Sequence, residues 1–141
     1  MSARFFLDTN IFVYSLEAAA PAKKARALEL ISQALQSRKG IISYQVVQEF
    51  FNVAFRRFSP KMTPAEAEQY LALTLQPLLV GHSSYALFSE ALALNRRHSL
   101  SWYDSLIVAS AIESGCRVIY TEDLQHGQAF GDLKVTNPFI G

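Results

Sequence analysis

Short apolar blocks of strand length alternate along this chain with longer segments whose apolar residues recur at helical spacing. The first block, residues 4–8, is apolar and aromatic and ends at Asp8, as a buried strand would. The segment 22–38 carries Leu28, Ile31 and Leu35 on one helical face. Because alternating strands and helices imply crossover connections, the sequence predicts a three-layer α/β/α domain with a short, mainly parallel sheet flanked by helices.

The other predicted elements follow from residues that start or stop helices. Ser43 and Ser101 are placed to cap helices, and Thr63-Pro64-Ala65-Glu66 has the form of a capping box with proline in the first turn. Gly40 and Gly115 are expected to stop the helices before them. The predicted helices cover 22–38, 44–58, 64–76, from 83 or 84 to 97, and 102–114, and the predicted strands cover 4–8, 41–42, 78–80, 117–120 and 134–136.

Length and composition narrow the class of protein. The 141 residues suit a single domain, 1–141, and half of them are apolar, which is enough for a real core. No apolar run approaches the ~18 residues of a membrane span, and the N-terminal apolar stretch is too short for a signal peptide. A cytoplasmic location without a membrane partner is therefore expected. The single cysteine, Cys116, excludes an internal disulfide and a cysteine-based zinc site.

Four acidic residues fall where a parallel sheet would gather them. Asp8 ends the first strand, and Asp123 comes just after the strand Val118-Ile119-Tyr120. Ligands of parallel sheets bind beyond the carboxyl ends of the strands. Glu49 and Asp104 lie in the first turns of helices that would start on that same side. The sequence therefore predicts that these four carboxylates converge.

Each acid also has a purely structural interpretation. Asp8 could cap the helix that follows it, and Asp104 fits a capping box begun by Ser101. Asp123 could be a turn residue, and Glu49 could be an ordinary surface glutamate. The coincidence of the four positions favours the functional interpretation.

A cluster of carboxylates needs a partner of opposite charge. Gathered carboxylates repel one another unless protons or a cation offset their charge. Because oxygen-only ligands select hard cations, the expected cofactor is Mg²⁺ or Mn²⁺. Such ions serve phosphodiester cleavage, since they activate water and stabilise the leaving oxygen. The four acids therefore predict a metal-dependent nuclease.

Several motifs, taken in order, carry a resemblance to a known family. They are Phe6-Leu7-Asp8-Thr9-Asn10, Glu49 after Ser43, the segment 102–109 that begins Trp102-Tyr103-Asp104, and Tyr120-Thr121-Glu122-Asp123. With this order and spacing the chain resembles the PIN-domain nucleases over its whole length, and within them the VapC-type toxins of bacterial toxin–antitoxin pairs. The closing segments 123–128 and 137–139 are similar to one branch of the toxins.

The resemblance implies a ribonuclease and gives the matched residues their roles. The residues implied to bind one or two Mg²⁺ or Mn²⁺ ions are Asp8, Glu49, Asp104 and Asp123. Thr9 and Asn10 match positions that orient the first carboxylate, and Thr121 matches the hydroxyl residue before the last acid. Side chains alternate along an extended segment, so only one of Glu122 and Asp123 should face the metal. Asp123 is favoured, with Glu122 as the alternative.

The resemblance also implies partners, namely an RNA substrate, a second copy of the chain in a homodimer, and a cognate antitoxin. The helix 44–58 has a wide apolar face, on which Phe51, Phe55 or Phe58 is expected to stay exposed until another chain covers it, unless the helix 64–76 does so. On the opposite side, Arg56 and the adjoining Arg57 are candidate phosphate contacts, with a solvated surface as the alternative.

Two other families that begin with an aspartate after the first strand fit the sequence poorly. Haloacid-dehalogenase-type phosphatases need a second aspartate two positions after the first, where this chain has Asn10, and phospho-receiver domains need an acidic pair that is missing near the first strand. Two alternatives stay open, a non-catalytic PIN-fold domain that binds proteins and a housekeeping RNA-processing nuclease.

Overall fold

A computed structural model describes residues 3–140 and shows a five-stranded sheet with the strand order β2-β1-β3-β5-β4. The strands are β1 (Phe5–Leu7), β2 (Gly40–Ile41), β3 (Val118–Tyr120), β4 (Ala129–Phe130) and β5 (Leu133–Thr136). Neighbouring strands run parallel except β4, which pairs antiparallel with β5 at the edge. The predicted α/β class with a mainly parallel sheet is confirmed.

The helices are α1 (Thr9–Leu16), α2 (Pro21–Ser37), α3 (Tyr44–Arg56), α4 (Pro64–Tyr70), α5 (Tyr85–His98) and α6 (Trp102–Glu113). The crossover from β1 to β2 and the crossover from β2 to β3 run in opposite directions along the sheet. Because such connections are right-handed, α2 covers one face of the sheet and α5 with α6 the other. None of the helices within 3–140 has both the length and the apolarity needed to cross a bilayer.

The core is formed where the central strands meet these helices. Phe6 and Leu7 of β1 and Ile119 of β3 are fully buried. Gly40 opens β2 directly against Ala34 of α2, and a Cβ built on Gly40 would lie 2.1 Å from the Cβ of Ala34. This close approach requires glycine at the start of β2. Gly40 was predicted to stop α2, and this prediction is wrong. Arg38 ends the helix instead, with a φ of 61°.

Most predicted helix starts are confirmed. In the capping box of α4, Glu66 N–H donates to Thr63 Oγ1 at 3.2 Å and Thr63 N–H donates to Glu66 Oε1 at 2.8 Å. The hydroxyl oxygen of Ser101 accepts from Asp104 N–H at 3.1 Å and caps α6. Ser43 occupies the cap position of α3, but its side chain makes no capping hydrogen bond.

Some predicted boundaries are wrong. The helix predicted over 64–76 stops being α-helical after Tyr70 and continues as a π-helical turn over Leu71–Leu75 and a 3-10 turn over Gln76–Leu78. The strand predicted over 78–80 is only a single parallel bridge between Ile42 and Leu79. The helix predicted to reach Phe58 ends at Arg56. Two elements, α1 and the short edge strand β4, had no predicted bounds.

Candidate active site

The site begins where two adjacent parallel strands end together. Leu7 of β1 and Tyr120 of β3 are paired in register, and the next N–H of the first strand, that of Asp8, donates to Tyr120 O at 3.1 Å. The chain leaves the sheet at this point from both strands. The side chains of Asp8 and Thr121 are consequently buried next to each other at the carboxyl edge of the sheet.

A hydrogen-bonded chain of four residues runs from Asp8 to Asp123. Thr121 Oγ1 donates to Asp8 Oδ2 at 2.7 Å and accepts from Asn10 Nδ2 at 3.3 Å. Asn10 Nδ2 also donates to Asp123 Oδ2 at 3.1 Å, and Asp123 N–H donates to Thr121 Oγ1 at 3.0 Å. Asp8 and Asp123 are thus linked to each other through the Thr121 hydroxyl and the Asn10 amide.

Glu49 joins this network from α3. Thr9 Oγ1 donates to Glu49 Oε1 at 2.6 Å, and Gln45 Nε2 donates to Glu49 Oε2 at 3.2 Å. Gln45 Nε2 also donates to the backbone oxygen of Tyr103 at 3.0 Å, next to Asp104. Sequence reasoning missed the role of Gln45, although its position four residues before Glu49 places both on one helical face.

Asp104 lies in the first turn of α6, and its backbone N–H is bound by Ser101. Within residues 3–140, its carboxylate completes no reciprocal capping bond and has no side-chain partner. The capping-box interpretation of Asp104 therefore accounts for its N–H and leaves the carboxylate unexplained.

The acids are coupled electrostatically. Burial raises the pKa of Asp8 to about 7, hydrogen bonds from Thr121 and from the backbone of Thr9 oppose this rise, and the charges of Asp123 and Glu49 add to it. The pKa of Asp123 is also raised, first by burial and then by the charges of Asp104 and Glu122, against the hydrogen bond from Asn10. The four predicted acids are therefore linked by pairwise repulsion, since Glu49 and Asp123 act on Asp8, and Asp104 acts on Asp123.

The Glu122 side chain contacts other residues than those that bind Asp8 and Asp123. Its Oε1 accepts a hydrogen bond from the Tyr14 hydroxyl at 2.5 Å, and its Oε2 forms an ion pair with Lys23 Nζ at 2.9 Å. Lys23 Nζ also donates to the Tyr14 hydroxyl at 3.2 Å and lies 4.6 Å from the Tyr14 ring centroid. Glu122 thus has its own cation, whereas among residues 3–140 the side chain of Asp123 is bound only by the neutral amide of Asn10.

A groove of about 520 Å³ opens beside these acids, and the residues on its walls include Thr9, Asn10, Glu49, Asn52, Arg57, Glu122 and Asp123. Of the two arginines considered from the sequence, Arg57 lines this groove and Arg56 does not. In the conformation that residues 3–140 adopt, no three acidic, histidine or cysteine side chains come close enough to hold a metal ion. The four acids share one edge and one electrostatic environment without forming a closed ligand set.

Comparison with known families settles the relationship of the chain to other proteins. The profile of the PIN domain matches residues 5–129. The chain belongs to the PIN-domain family. This confirms the resemblance to the PIN-domain family inferred from the motifs, since the match spans all but the two ends of the chain.

Solved structures share this PIN fold. A sarcin–ricin-loop-cleaving VapC toxin of Mycobacterium tuberculosis is 21% identical, with a TM-score of 0.60 over 84% of this chain and 89% of its own. A toxin–antitoxin complex from Klebsiella pneumoniae is 21% identical, with a TM-score of 0.64 over 97% and 98%. The structure of FitAcB from Neisseria gonorrhoeae is 20% identical, with a TM-score of 0.62 over 96% and 98%. No curated protein sequence matches the chain.

Proposed function

We propose that this PIN-domain chain is a Mg²⁺- or Mn²⁺-dependent endoribonuclease and the toxin of a toxin–antitoxin pair. The observation that carries the proposal is the electrostatic coupling of Asp8, Glu49, Asp104 and Asp123 at the carboxyl edge of the sheet. Burying one carboxylate among others lowers the stability of the fold, and groups with pKa values perturbed in this way cluster at functional sites.

The donor set fits a hard divalent cation. The four acids offer carboxylate oxygens, and hydroxyl and amide groups are hydrogen-bonded to three of them. Among the described residues, neither a lysine nor an arginine forms an ion pair with any of the four acids. Burial first, and then the charges of Asp123 and Glu49, raise the pKa of Asp8 to about 7, and a cation bound beside Asp8 would favour its ionised form. Asp8, Glu49, Asp104 and Asp123 are the residues that would hold Mg²⁺ or Mn²⁺.

Glu49 and Asp123 already accept hydrogen bonds from neutral donors, which a metal ion would have to displace in part. We therefore expect weak binding of the ion when RNA is absent. Mg²⁺ keeps several waters and relies on substrate phosphates for part of its coordination. When bound, the cation supplies an activated water and stabilises the leaving oxygen of a phosphodiester.

The chain itself positions the reacting groups. Thr121 and the N–H of Thr9 each bind one oxygen of Asp8 and fix the plane of its carboxylate. Asn10 donates to one carboxylate oxygen of Asp123 and so orients the acid that lines the groove. Arg57 on the groove wall is placed to bind a phosphate that flanks the scissile one.

An antitoxin and a second copy of the chain are the proposed protein partners. The Phe55 side chain is 43% exposed, and its ring stacks on Phe51 with centroids 5.6 Å apart. This supports a partner whose amphipathic segment covers the outer face of α3. The Klebsiella pneumoniae structure is a toxin–antitoxin complex, which supports the same kind of partner for this chain.

The test is Mn²⁺- and Mg²⁺-dependent cleavage of a structured RNA by the wild type and by Asp104→Asn. The substitution keeps the shape of the side chain and the backbone cap but removes a charge, so we expect folding to persist and cleavage to fall at least ~100-fold. Asp132→Asn is the matched control, because Asp132 lies in the turn between β4 and β5, away from the groove. Wild-type cleavage by Asp104→Asn would refute the carboxylate site.

A further inference from the structure

A second cavity lies on the other side of Gln45 from the carboxylates. Its volume is about 200 Å³, and its walls come from the start of α3, the segment 80–83, α5 and α6. This volume is below the range of roughly 300–1,000 Å³ that holds drug-sized ligands. The cavity suits a single small ring system.

The walls combine aromatic faces with amide groups. Tyr44, Phe88 and Tyr103 contribute rings, and Gln45 and Gln48 contribute side-chain amides. Tyr44 is held in place by a hydrogen bond between its hydroxyl and His82 Nδ1, with the two rings edge to face at 5.7 Å. Phe88 is backed by Trp102, whose ring stacks on it at 6.3 Å.

One polar group at this cavity has no partner within the described chain. The Ser43 hydroxyl oxygen lies on a residue that is 8% exposed, and no hydrogen bond reaches it. Ser43 occupies the cap position of α3 without capping it, although its side chain is of the type that usually does so. A buried hydroxyl without a partner costs free energy, so Ser43 marks a polar and incompletely satisfied part of the cavity wall.

The charge of the wall indicates which part of a nucleotide would enter. Glu113 lines the cavity, and no lysine or arginine does. A phosphate would be repelled there, whereas a neutral base would not. Gln45 on the cavity wall donates to both Glu49 and Tyr103 O, so the cavity adjoins the edge that carries the acids. A base in the cavity would therefore belong to a nucleotide beside the acids.

We infer that this cavity binds one unpaired nucleobase of the RNA next to the bond that the carboxylates cleave, an inference that rests on the proposed nuclease function. Single-stranded RNA is commonly recognised by stacking splayed bases on aromatic side chains and by hydrogen bonds to their edges. Tyr44, Tyr103 and Phe88 supply the faces, and Gln48 supplies a donor and an acceptor for the base edge. The substrate class is thus a loop or single strand with an extruded base, and this cavity sets the base preference.

Binding without cleavage tests the inference. Short single-stranded RNAs made only of A, C, G or U are titrated in EDTA, with the fluorescence of Trp102, the only tryptophan, as the signal. We expect the four dissociation constants of the wild type to differ. Tyr103→Ala should raise the dissociation constant of the preferred RNA by about tenfold or more. Tyr103→Phe keeps the ring and should bind close to wild type.

Matched variants distinguish RNA binding in the cavity from RNA binding elsewhere on the surface. Tyr85→Ala removes a ring that is 89% exposed and does not line the cavity, so it should leave binding unchanged. Gln48→Ala should narrow the differences among the four RNAs, whereas Gln33→Ala on α2 should not.

Equal binding by Tyr103→Ala and Tyr85→Ala would overturn the inference, as would four equal dissociation constants for the wild type. A fall in particle mass on sedimentation of Tyr103→Ala would also overturn it, because the face would then belong to a second copy of the chain. Since EDTA prevents metal-dependent cleavage, base-selective binding by a protein that cuts no RNA would refute the proposed function alone.

Discussion

Thr121 Oγ1 donates to Asp8 Oδ2 at 2.7 Å, and the two residues follow adjacent strands whose last residues are paired in register. The same hydroxyl oxygen accepts from Asn10 and from the N–H of Asp123. One fully buried threonine therefore connects two acids that lie more than a hundred residues apart in the sequence. Loss of its hydroxyl should affect both acids together.

Thr121→Val preserves the shape of the side chain and removes these hydrogen bonds. We expect a loss of about 2 kcal/mol in the free energy of unfolding, since a bond to a charged group is lost and buried partners stay unsatisfied. Cleavage should fall as well, because Asp8 and Asp123 are no longer oriented. Urea unfolding and RNA cleavage measure the two effects. Thr136→Val on β5 is the control, and equal effects of both variants would argue against a specific role for Thr121.

Asp8 makes the stability of the metal-free protein depend on pH. Its folded pKa of about 7 lies above the unfolded value near 3.8, so the folded state binds the extra proton between these values. Stability in EDTA should consequently fall as pH rises from about 4 to about 7 and then level off. A shift from 3.8 to about 7 corresponds to a loss of about 4 kcal/mol.

The measurement is urea unfolding from pH 4 to pH 8 in EDTA. Asp8→Asn should flatten the profile and be more stable than wild type at pH 8, whereas Asp132→Asn should follow wild type. Added Mn²⁺ should stabilise the wild type most above pH 7, where Asp8 is ionised. A wild-type profile that rises between pH 4 and pH 7 would show that Asp8 does not govern it.

The neighbours Glu122 and Asp123 should respond differently to neutralisation. Glu122 is paired with Lys23 and Tyr14, so Glu122→Gln should reduce stability slightly and leave most of the metal-dependent cleavage intact. Asp123→Asn should abolish cleavage, because the Asp123 carboxylate is bound by the neutral amide of Asn10 and not by a cation, so its charge is left for a metal ion. Cleavage assays on the two variants at several Mn²⁺ concentrations distinguish them. A reversed order would make Glu122 the fourth acid.

The arginines at the end of α3 offer a similar pair. Arg57 lines the groove and Arg56 does not, so Arg57→Ala should raise the KM for RNA. The slope of log KM against log salt concentration should fall by about one, since one phosphate contact is lost. Arg56→Ala should leave both unchanged. If the salt slope of Arg57→Ala equals that of wild type, Arg57 is only a surface charge.

Local signals predicted the start of each element better than its end. The capping box at Thr63 and the cap at Ser101 are short-range patterns, and the structure confirms both. The helix beyond Tyr70 changes to a π-helical turn and then to a 3-10 turn at Pro77, a change that apolar spacing alone does not indicate. The residues 78–80 need a strand partner, and only Leu79 forms a bridge, with Ile42.

In the candidate site, too, some features could be predicted from the sequence and others could not. The order of parallel strands was enough to place Asp8 and Asp123 at one edge, because carboxyl ends of parallel strands lie on the same side. The contacts of Lys23 with Glu122 and of Gln45 with Tyr103 O join distant parts of the chain and depend on side-chain packing. Sequence spacing carries no information on such pairs, except where both members lie on one helix, as Gln45 and Glu49 do.

The outer face of α3 gives the last prediction. The helix 64–76 was considered as a cover for the surplus phenylalanines, and α4 does cover part of the face, since Tyr70 stacks on Phe50 at 4.9 Å. Phe50 is fully buried, whereas Phe55 stays 43% exposed against Phe51. Coverage by α4 is therefore partial, and Phe55 is the ring left for another chain.

Phe55→Glu should weaken the pairing with the proposed antitoxin, because a buried glutamate without a partner is costly in an apolar interface. Cleavage by the isolated enzyme should not change, since Phe55 does not line the groove. Co-purification from the native operon measures the pairing, and sedimentation measures the proposed homodimer. Leu92→Glu on α5 is the control, because Leu92 is 56% exposed on a different helix and should leave the antitoxin bound. A monomeric wild type, with a Phe55→Glu variant that behaves like it in both assays, would show that the exposed ring of Phe55 binds no partner. The Phe51–Phe55 stack would then be the edge of the core.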